Sequence, residues 1–226
     1  MTTRLTTTVI IVATSLAGGC TEPLFVTHRP AATPTDTVLP PPATSGGMSL
    51  AKAMADRRSV RSFADKPVTL EQVSQLCWAA QGITDQSSGK RTAPSAMALY
   101  AVNIYLVNKD GCFEYLPGPH ALRPMGGPEA MGRLRGACWQ PSVGSAPLCM
   151  IITIDVERLK PRCGKMAEQY SLLEAGHVAQ NVLLQATALE LASVPVGGFD
   201  ANAVGKAMNI PAPQRAVYLL PIGCKK

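Results

Sequence analysis

The chain has 226 residues, of which 46% are hydrophobic and 16% charged, and it carries a formal net charge of +6. This length suits one domain, or one domain with a tail, and the apolar content is ample for a buried core. The basic residues are scattered along the chain, and aromatic residues make up only 5% of it. Composition therefore disfavours a nucleic-acid-binding protein, which typically carries a basic stripe with interleaved aromatic residues.

The first 20 residues have the pattern of a bacterial export signal. Arg4 precedes an apolar stretch, residues 5–17, that is short for a membrane span, and Gly18 and Gly19 lead to Cys20. Small residues before a cysteine are typical of a lipoprotein cleavage site. We therefore expect Cys20 to carry lipid and to anchor a periplasmic lipoprotein of the cell envelope, with no other contact to the membrane. The alternatives are an ordinary secretory signal, or a misassigned start and a cytoplasmic protein.

Residues 21–47 are rich in proline and threonine and show no apolar periodicity. Such a segment buries too little surface to offset its chain entropy. This pattern predicts a disordered tether between Cys20 and a domain that begins near Met48. The remaining residues, 48–226, are within the usual size range of a single domain.

Helical and strand patterns follow one another in this domain without a regular β-α-β rhythm. A short helix is predicted to start near Ser49, and a second covers residues 69–81, where Thr69 and Gln72 form a capping box and Gly82 ends the helix. Residues 101–116 predict a hairpin that turns at residues 110–111. Later patterns predict helices over residues 128–139, 165–193 and 200–210, a buried strand over 148–154, a strand or turn over 192–199, and a final strand over 216–223. This mixture indicates an α+β fold.

The longest predicted helix contains residues 172–192, which are too apolar to face water on any side. We expect it to lie in the core and in a dimer interface. Within it, Glu174 and His177 could place two metal ligands on one helix face, but a carboxylate-bridged site needs a second such pair, which the sequence lacks. We therefore predict no metal site, and we expect His177 to be an interior or interface residue.

Six cysteines follow Cys20. An even number permits disulfides in an exported protein, so their redox state stays open. No CxxC pair occurs, which disfavours a zinc ribbon or a thioredoxin-like site.

The residues with the clearest chemistry suit a phosphate and a flat ring. Neither the dinucleotide-binding glycine motif nor the P-loop motif occurs. Instead, a cluster of three arginines and a serine offers guanidinium groups and a hydroxyl, which match the geometry of phosphate. Two stretches of small residues would allow the backbone to approach a planar ligand closely. The candidate residues are Arg57, Arg58, Ser59 and Arg61, then Pro94, Ser95 and Ala96, then Gly197 and Gly198.

Together, and in this order, these stretches resemble the nitroreductase family of FMN enzymes. The matching segments are RRSVRSF, APSAMALYAVNIYLV, EAGHVAQNVLLQATALELASVPVGGFD and YLLPIG, and the resemblance covers residues 48–226. The most similar branch contains the azoline dehydrogenases of ribosomal-peptide pathways, whose loop reads PSAG. This chain has Met97 at the glycine position.

The resemblance implies a central sheet flanked by helices, and a homodimer with FMN in each of two interface clefts. The phosphate, the ribityl chain and the pyrimidine edge would be held by Arg57, Arg58, Ser59 and Arg61. The ring would be lined by Pro94, Ser95 and Ala96. Backbone N–H groups near the N5 edge of the ring would come from Gly197 and Gly198. Lys225 or Lys226 would assist at the phosphate.

The implied activity is ping-pong hydride transfer from NAD(P)H to a small organic acceptor such as a nitroaromatic or a quinone. In this chemistry the flavin reacts and no catalytic side chain is obligatory. Azoline dehydrogenases use a Lys-Tyr pair shortly before the long helix, where this chain has Arg162 and Cys163. This difference favours reduction of such an acceptor and leaves azoline oxidation as the alternative. A second alternative follows from export, because NAD(P)H is a cytoplasmic donor: an exported flavin-binding lipoprotein without NAD(P)H turnover.

Overall fold

The computed structural model describes residues 35–226. Its strands are β1 (Thr37–Val38), β2 (Ile83–Asp85), β3 (Lys90–Arg91), β4 (Val102–Asn108), β5 (Gly111–Leu116), β6 (Ala121–Gly126), β7 (Leu148–Ile154), β8 (Leu191–Ser193) and β9 (Arg215–Cys224). Its α-helices are α1 (Leu50–Asp56), α2 (Leu70–Gln81), α3 (Ala130–Ala137), α4 (Pro141–Ser145), α5 (Val156–Cys163), α6 (Ala167–Ala188) and α7 (Ala201–Ala207).

Seven of the strands form one antiparallel sheet in the order β1-β6-β5-β4-β7-β9-β8, and β2 pairs with β3 separately. The central strand β7 is buried along its whole length. Because side chains alternate along a strand, Met150 and Ile152 of β7 pack on one face with α2 and α6, and Cys149 and Ile151 pack on the other face with α3, α4 and α7. The sheet flanked by helices confirms the predicted α+β class.

Several predicted elements are confirmed in detail. Thr69 and Gln72 form the capping box of α2. A side chain at Gly82 would bring its Cβ within 2.2 Å of a Trp78 ring carbon, so only glycine fits where α2 ends. The hairpin between β4 and β5 turns at Asp110 and Gly111, as expected. Gly111 has φ +150°, and an added Cβ would lie 2.2 Å from the Gly126 carbonyl oxygen.

The long helix α6 is shorter than the prediction and less buried. It runs over Ala167–Ala188, because Leu191–Ser193 form strand β8 and pair with β9. One face packs on the sheet, but Leu172 is 45% exposed and Leu173 is 53% exposed. His177 is also exposed in the single chain. The prediction that it lies in the interior is therefore wrong, and its place in an interface stays a prediction.

The segment before Met48 belongs to the domain. Thr37 and Val38 pair with β6, and Leu39 is only 4% exposed in the core. Ser74 of α2 donates a 2.5 Å hydrogen bond to the Pro40 carbonyl. The tether predicted over residues 21–47 is therefore wrong for residues 37–40, which pair with a distant strand and pack against the domain. The predicted signal, Cys20 and the rest of the tether lie outside the described residues.

The six cysteines within residues 35–226 are all free thiols. No helix in this described part of the chain combines the length and apolar character needed to cross a membrane.

Candidate flavin site

The arginine segment lies beside strand β8 and is extended. Helix α1 ends at Asp56, with Arg57 at its C-cap, so Arg58 and Arg61 lie beyond the helix. Ser59 forms a parallel bridge with Ser193, and the Val60 N–H donates to the Ser193 carbonyl at 3.0 Å. Val60 packs against the core below. Since side chains alternate along an extended chain, this turns Ser59 and Arg61 toward the opposite, exposed side.

Positive charge is concentrated around this segment. Phe63 pairs with Lys225, which brings the end of the chain alongside the arginines. The nearby carboxylate of Asp56 forms a 2.7 Å ion pair with Lys52. The hydrogen bond from Lys52 is the main cause that lowers the pKa of the Asp56 carboxyl, and the charges of Lys225 and Arg58 lower it further. This surface therefore holds more cations than its own carboxylate can neutralise.

The arginines are not equivalent. Nη1 of Arg58 donates to the carbonyls of Ala55 and Arg57, at 2.8 Å each, and so caps the end of α1. Arg61 is exposed and Arg57 is partly exposed. Both remain free to contact an anion, whereas Arg58 is partly engaged in capping the helix.

Gly197 and Gly198 follow strand β8, beyond Ser193, which bridges to the arginine segment. They follow Val196, which pairs with Leu219 of β9, and both are exposed. On the other side of Gly198, the Gln140 amide donates to the Gly198 carbonyl at 3.4 Å. The neighbouring Trp139 side chain is 67% exposed, and its ring would lie 4.0 Å from a Cβ at Gly198. Trp139 is not among the residues predicted from the sequence, and only its exposure in the fold identifies it.

The loop that contains Pro94, Ser95 and Ala96 has an unusual backbone. Met97, Ala98 and Tyr100 have φ values of 53°, 54° and 51°, which is the left-handed region that favours glycine. Met97 stands where the resemblance has glycine, so the backbone keeps a glycine-like conformation although the residue has changed. The Tyr100 N–H donates to the Ser95 hydroxyl oxygen at 2.8 Å, which ties the two ends of the turn together.

Glu174 fixes this loop from below. Its side chain is 2% exposed. Its Oε2 accepts from the Ser95 hydroxyl at 2.6 Å and from the Ala101 N–H at 3.3 Å. Its Oε1 accepts from the Val102 N–H at 3.2 Å and from the Gln81 amide at 3.3 Å. Sequence reasoning weighed Glu174 only as a metal ligand and missed this role, because its donors lie far away along the chain.

The single chain brings the candidate residues together in two separate groups. The first group lies on the sheet face covered by α3, α4 and α7. There Val60 of the arginine segment packs in the core with Val194 and Val196, which precede the two glycines. Ala93, directly before Pro94, packs on the opposite face with α2 and α6. The bridge between Ser59 and Ser193 connects the first group, and Glu174 supports the second.

The residues in the first group fit FMN. Arg57, Arg61, Lys225 and the Ser59 hydroxyl are donors suited to a phosphate. The exposed backbone at Gly197 and Gly198 offers room for a flat ring, since an added Cβ at Gly197 would meet only Tyr218, at 3.8 Å. The donor set and the open glycine backbone thus match the two ends of such a cofactor.

Comparisons with known proteins identify relatives that cover most of the chain. The model of the Nitroreductase family matches residues 54–224. A Methanocaldococcus jannaschii protein whose name assigns it to the nitroreductases is 35% identical over 185 residues, which is 79% of this chain and 92% of that protein. A solved Ralstonia eutropha structure, also named among the nitroreductases, is 27% identical, has a TM-score of 0.78, and the match covers 88% of this chain and 94% of that chain.

The fold alone is shared with a chain of the Escherichia coli microcin synthetase complex. That chain is 21% identical, has a TM-score of 0.66, and the match covers 89% of this chain and 84% of that chain. The family match extends from α1 to the end of β9 and includes the candidate residues from Arg57 to Gly198, whereas Lys225 and Lys226 lie beyond it. The chain therefore belongs to the nitroreductase family.

Proposed function

We propose that this protein is an FMN-dependent oxidoreductase that passes hydride from NAD(P)H to a small organic acceptor, such as a nitroaromatic or a quinone, in a ping-pong cycle. Family membership supports flavin-dependent oxidoreduction in general. The observation that carries the proposal is the Ser59–Ser193 bridge, because it holds the exposed arginine segment next to the strand that leads to Gly197 and Gly198.

The roles of the residues follow from their chemistry. Arg57, Arg61 and the Ser59 hydroxyl bind the phosphate, with Lys225 adding charge, and Arg58 supports the segment by capping α1. The backbone N–H groups of Gly197 and Gly198 would hold the reactive edge of the ring. When bound, FMN supplies the hydride transfer itself. Trp139 stands at the rim beside Gly198, where its indole can stack on an aromatic acceptor.

A homodimer would complete the site. The loop with Pro94, Ser95 and Ala96 lies on the opposite sheet face from the arginine segment, so a second copy is the simplest source of that loop. Leu50 and Met54 of α1, and Leu172 and Leu173 of α6, are exposed apolar side chains that a dimer interface would cover. Light scattering should show a dimer. A monomer that retains FMN would contradict this arrangement.

The alternative functions differ in the electron donor that reduces the flavin. The absorbance spectrum of the purified full chain should show bound flavin, and NAD(P)H should bleach it. Bleaching by a quinol alone would indicate an envelope enzyme with a different donor. A bound flavin that no reductant bleaches would indicate a flavin-binding lipoprotein, and a chain without flavin would contradict the proposal.

The cell-envelope location rests on the sequence before the described residues. We propose that Cys20 carries lipid and that the protein fractionates with membranes. The substitution Cys20→Ala should release the protein or block its processing. A soluble cytoplasmic protein that retains Met1 would contradict the anchor and leave the oxidoreductase proposal intact.

A further inference from the structure

A cavity of about 350 Å³ lies where strands β4 and β5 separate. The two strands pair from Asn108 and Gly111 as far as Tyr105 and Glu114. Beyond that point β4 stays paired with β7, as far as Val102, and β5 stays paired with β6, as far as Leu116. The cavity fills the space between the diverging strands, away from the arginine segment at the candidate flavin site.

Arg91, a partly buried arginine, lines this cavity. Nη1 of Arg91 donates to the Gln81 amide oxygen at 3.0 Å, and the guanidinium carbon lies 4.2 Å from the centre of the Tyr100 ring. Nε of Arg91 is buried and has no hydrogen-bond acceptor among residues 35–226. Nε belongs to the guanidinium edge that binds a carboxylate through two parallel hydrogen bonds.

The positive charge of Arg91 is poorly compensated by the protein. Burial lowers the pKa of Arg91, which means that the charged form is costly at this position. The Glu174 carboxylate opposes this charge, but it already accepts four hydrogen bonds, and the Gln81 side chain lies between it and Arg91 in the hydrogen-bond network. A buried charge left in this condition is stabilised when an anion binds beside it.

Arg158 supplies a second cation to the same cavity. Its Nη1 donates to the Tyr100 carbonyl at 2.5 Å and its Nη2 to the Asn103 amide oxygen at 3.3 Å. Asp155 lies 3.5 Å from Nη2 and offsets part of the charge. Glu114 is the one carboxyl that lines the cavity; burial raises its pKa, and its backbone lies directly across from Arg123 in the sheet.

We propose that this cavity binds a small organic carboxylate, held between the Arg91 and Arg158 guanidinium groups. The remainder of the molecule would lie against the rings of Tyr100 and Tyr115, with the Gln214 amide at the far side. A doubly charged phosphate is a poorer ligand here, because Glu114 lines the same space and the walls offer few further donors. Arg91 and Arg158 are not among the candidate flavin residues, and Tyr100 connects the cavity to the loop that contains Ser95.

Binding of simple carboxylates to the purified full chain tests the proposal directly. The probes are acetate, succinate and benzoate, with neutral benzamide and inorganic phosphate for comparison, at concentrations up to about 10 mM, where a site of millimolar Kd is filled. We expect at least one carboxylate to bind saturably by calorimetry and to raise the melting temperature. Benzamide and phosphate should bind at least about tenfold more weakly than that carboxylate, which is roughly the effect of losing one charge-assisted contact.

Variants assign the binding to this cavity rather than to the flavin site. The substitution Arg158→Gln should weaken carboxylate binding by about tenfold or more. The control Arg162→Gln removes the same charge from an exposed position on the same helix and should leave it unchanged. If Arg158→Gln does not fold, Arg91→Gln takes its place with the same expected loss. The proposal is overturned if no probe carboxylate binds, if benzamide or phosphate binds equally well, or if neither arginine variant weakens binding.

Discussion

The Ser95 hydroxyl donates a 2.6 Å hydrogen bond to the buried carboxylate of Glu174, and this contact links the loop of small residues to helix α6. Glu174 also accepts two backbone N–H groups and the Gln81 amide, so each of its oxygens accepts two hydrogen bonds. A single buried side chain therefore determines where the left-handed turn at Met97 begins and ends. The loop is positioned by the core and does not depend on its own sequence alone.

The substitution Glu174→Gln should destabilise the protein by about 2–4 kcal/mol. The new NH₂ group would face two donors at whichever oxygen it replaces, and each buried donor left without an acceptor costs about 1–3 kcal/mol. Urea unfolding measures the free energy of unfolding. The control is Glu168→Gln on the same helix, where an exposed pair with Arg215 is worth less than about 1 kcal/mol. Equal losses for the two variants would contradict the role assigned to Glu174.

His120 should make stability depend on pH. Its Nε2 lies 2.7 Å from the Ser74 hydroxyl and its Nδ1 lies 2.8 Å from the Tyr115 hydroxyl. Burial lowers the pKa of His120, against a weaker opposing effect of the Pro40 carbonyl. The unfolded chain therefore binds more protons than the folded chain between the two pKa values, and stability falls as the pH drops through and below about 6.5.

Unfolding free energies at several pH values between about 5 and 8 test this sign. The variant His120→Asn suits the left-handed backbone at this position, where φ is 49°, and should flatten the pH dependence even though it lowers stability overall. The control His177→Asn changes an exposed histidine that makes none of these contacts. A pH dependence that is unchanged in His120→Asn would rule out this residue as its source.

Trp139 should affect the acceptor more than the cofactor. Replacing it by alanine removes a 67% exposed indole beside Gly198, and we expect the KM for aromatic acceptors to rise by roughly two- to tenfold, the equivalent of one lost stacking contact. The affinity for FMN should change little. Steady-state kinetics with a nitroaromatic acceptor provide the measurement, and Trp139→Phe, which keeps an aromatic ring, should recover most of the effect. An unchanged KM in the alanine variant would remove Trp139 from the acceptor site.

The elements that the sequence predicted correctly are those set by local contacts. The capping box of Thr69 and Gln72 and the turn at Asp110 and Gly111 involve residues within a few positions of each other, so their patterns are visible in the sequence. The extended course of the arginine segment could not be predicted in this way, because its partner, Ser193, lies on a strand near the other end of the domain. Strand β1 was missed for the same reason, since its two residues are ordered only by pairing with β6.

The candidate flavin residues were found through their chemical type, while their supporting residues were not. Arginines and glycines that suit a phosphate and a ring can be recognised from composition and order along the chain. Glu174, Arg91 and Trp139 gain their significance from burial or exposure, which only the fold determines. The separation of the candidate residues onto two sheet faces is likewise a property of the topology.

The affinity for FMN of the double variant Arg57→Ala, Arg61→Ala tests the central claim most directly. Charge-assisted hydrogen bonds are worth about 1.5–3 kcal/mol each, so the variant should bind FMN at least about tenfold more weakly while keeping its fold, because both side chains lie outside the core. Riboflavin, which lacks the phosphate, should bind both forms weakly and equally. The control double variant Lys66→Ala, Arg162→Ala, with the same change in charge at exposed positions, should keep full FMN affinity. If Arg57→Ala, Arg61→Ala also keeps full FMN affinity, the arginine segment does not bind the phosphate and the site assignment is wrong.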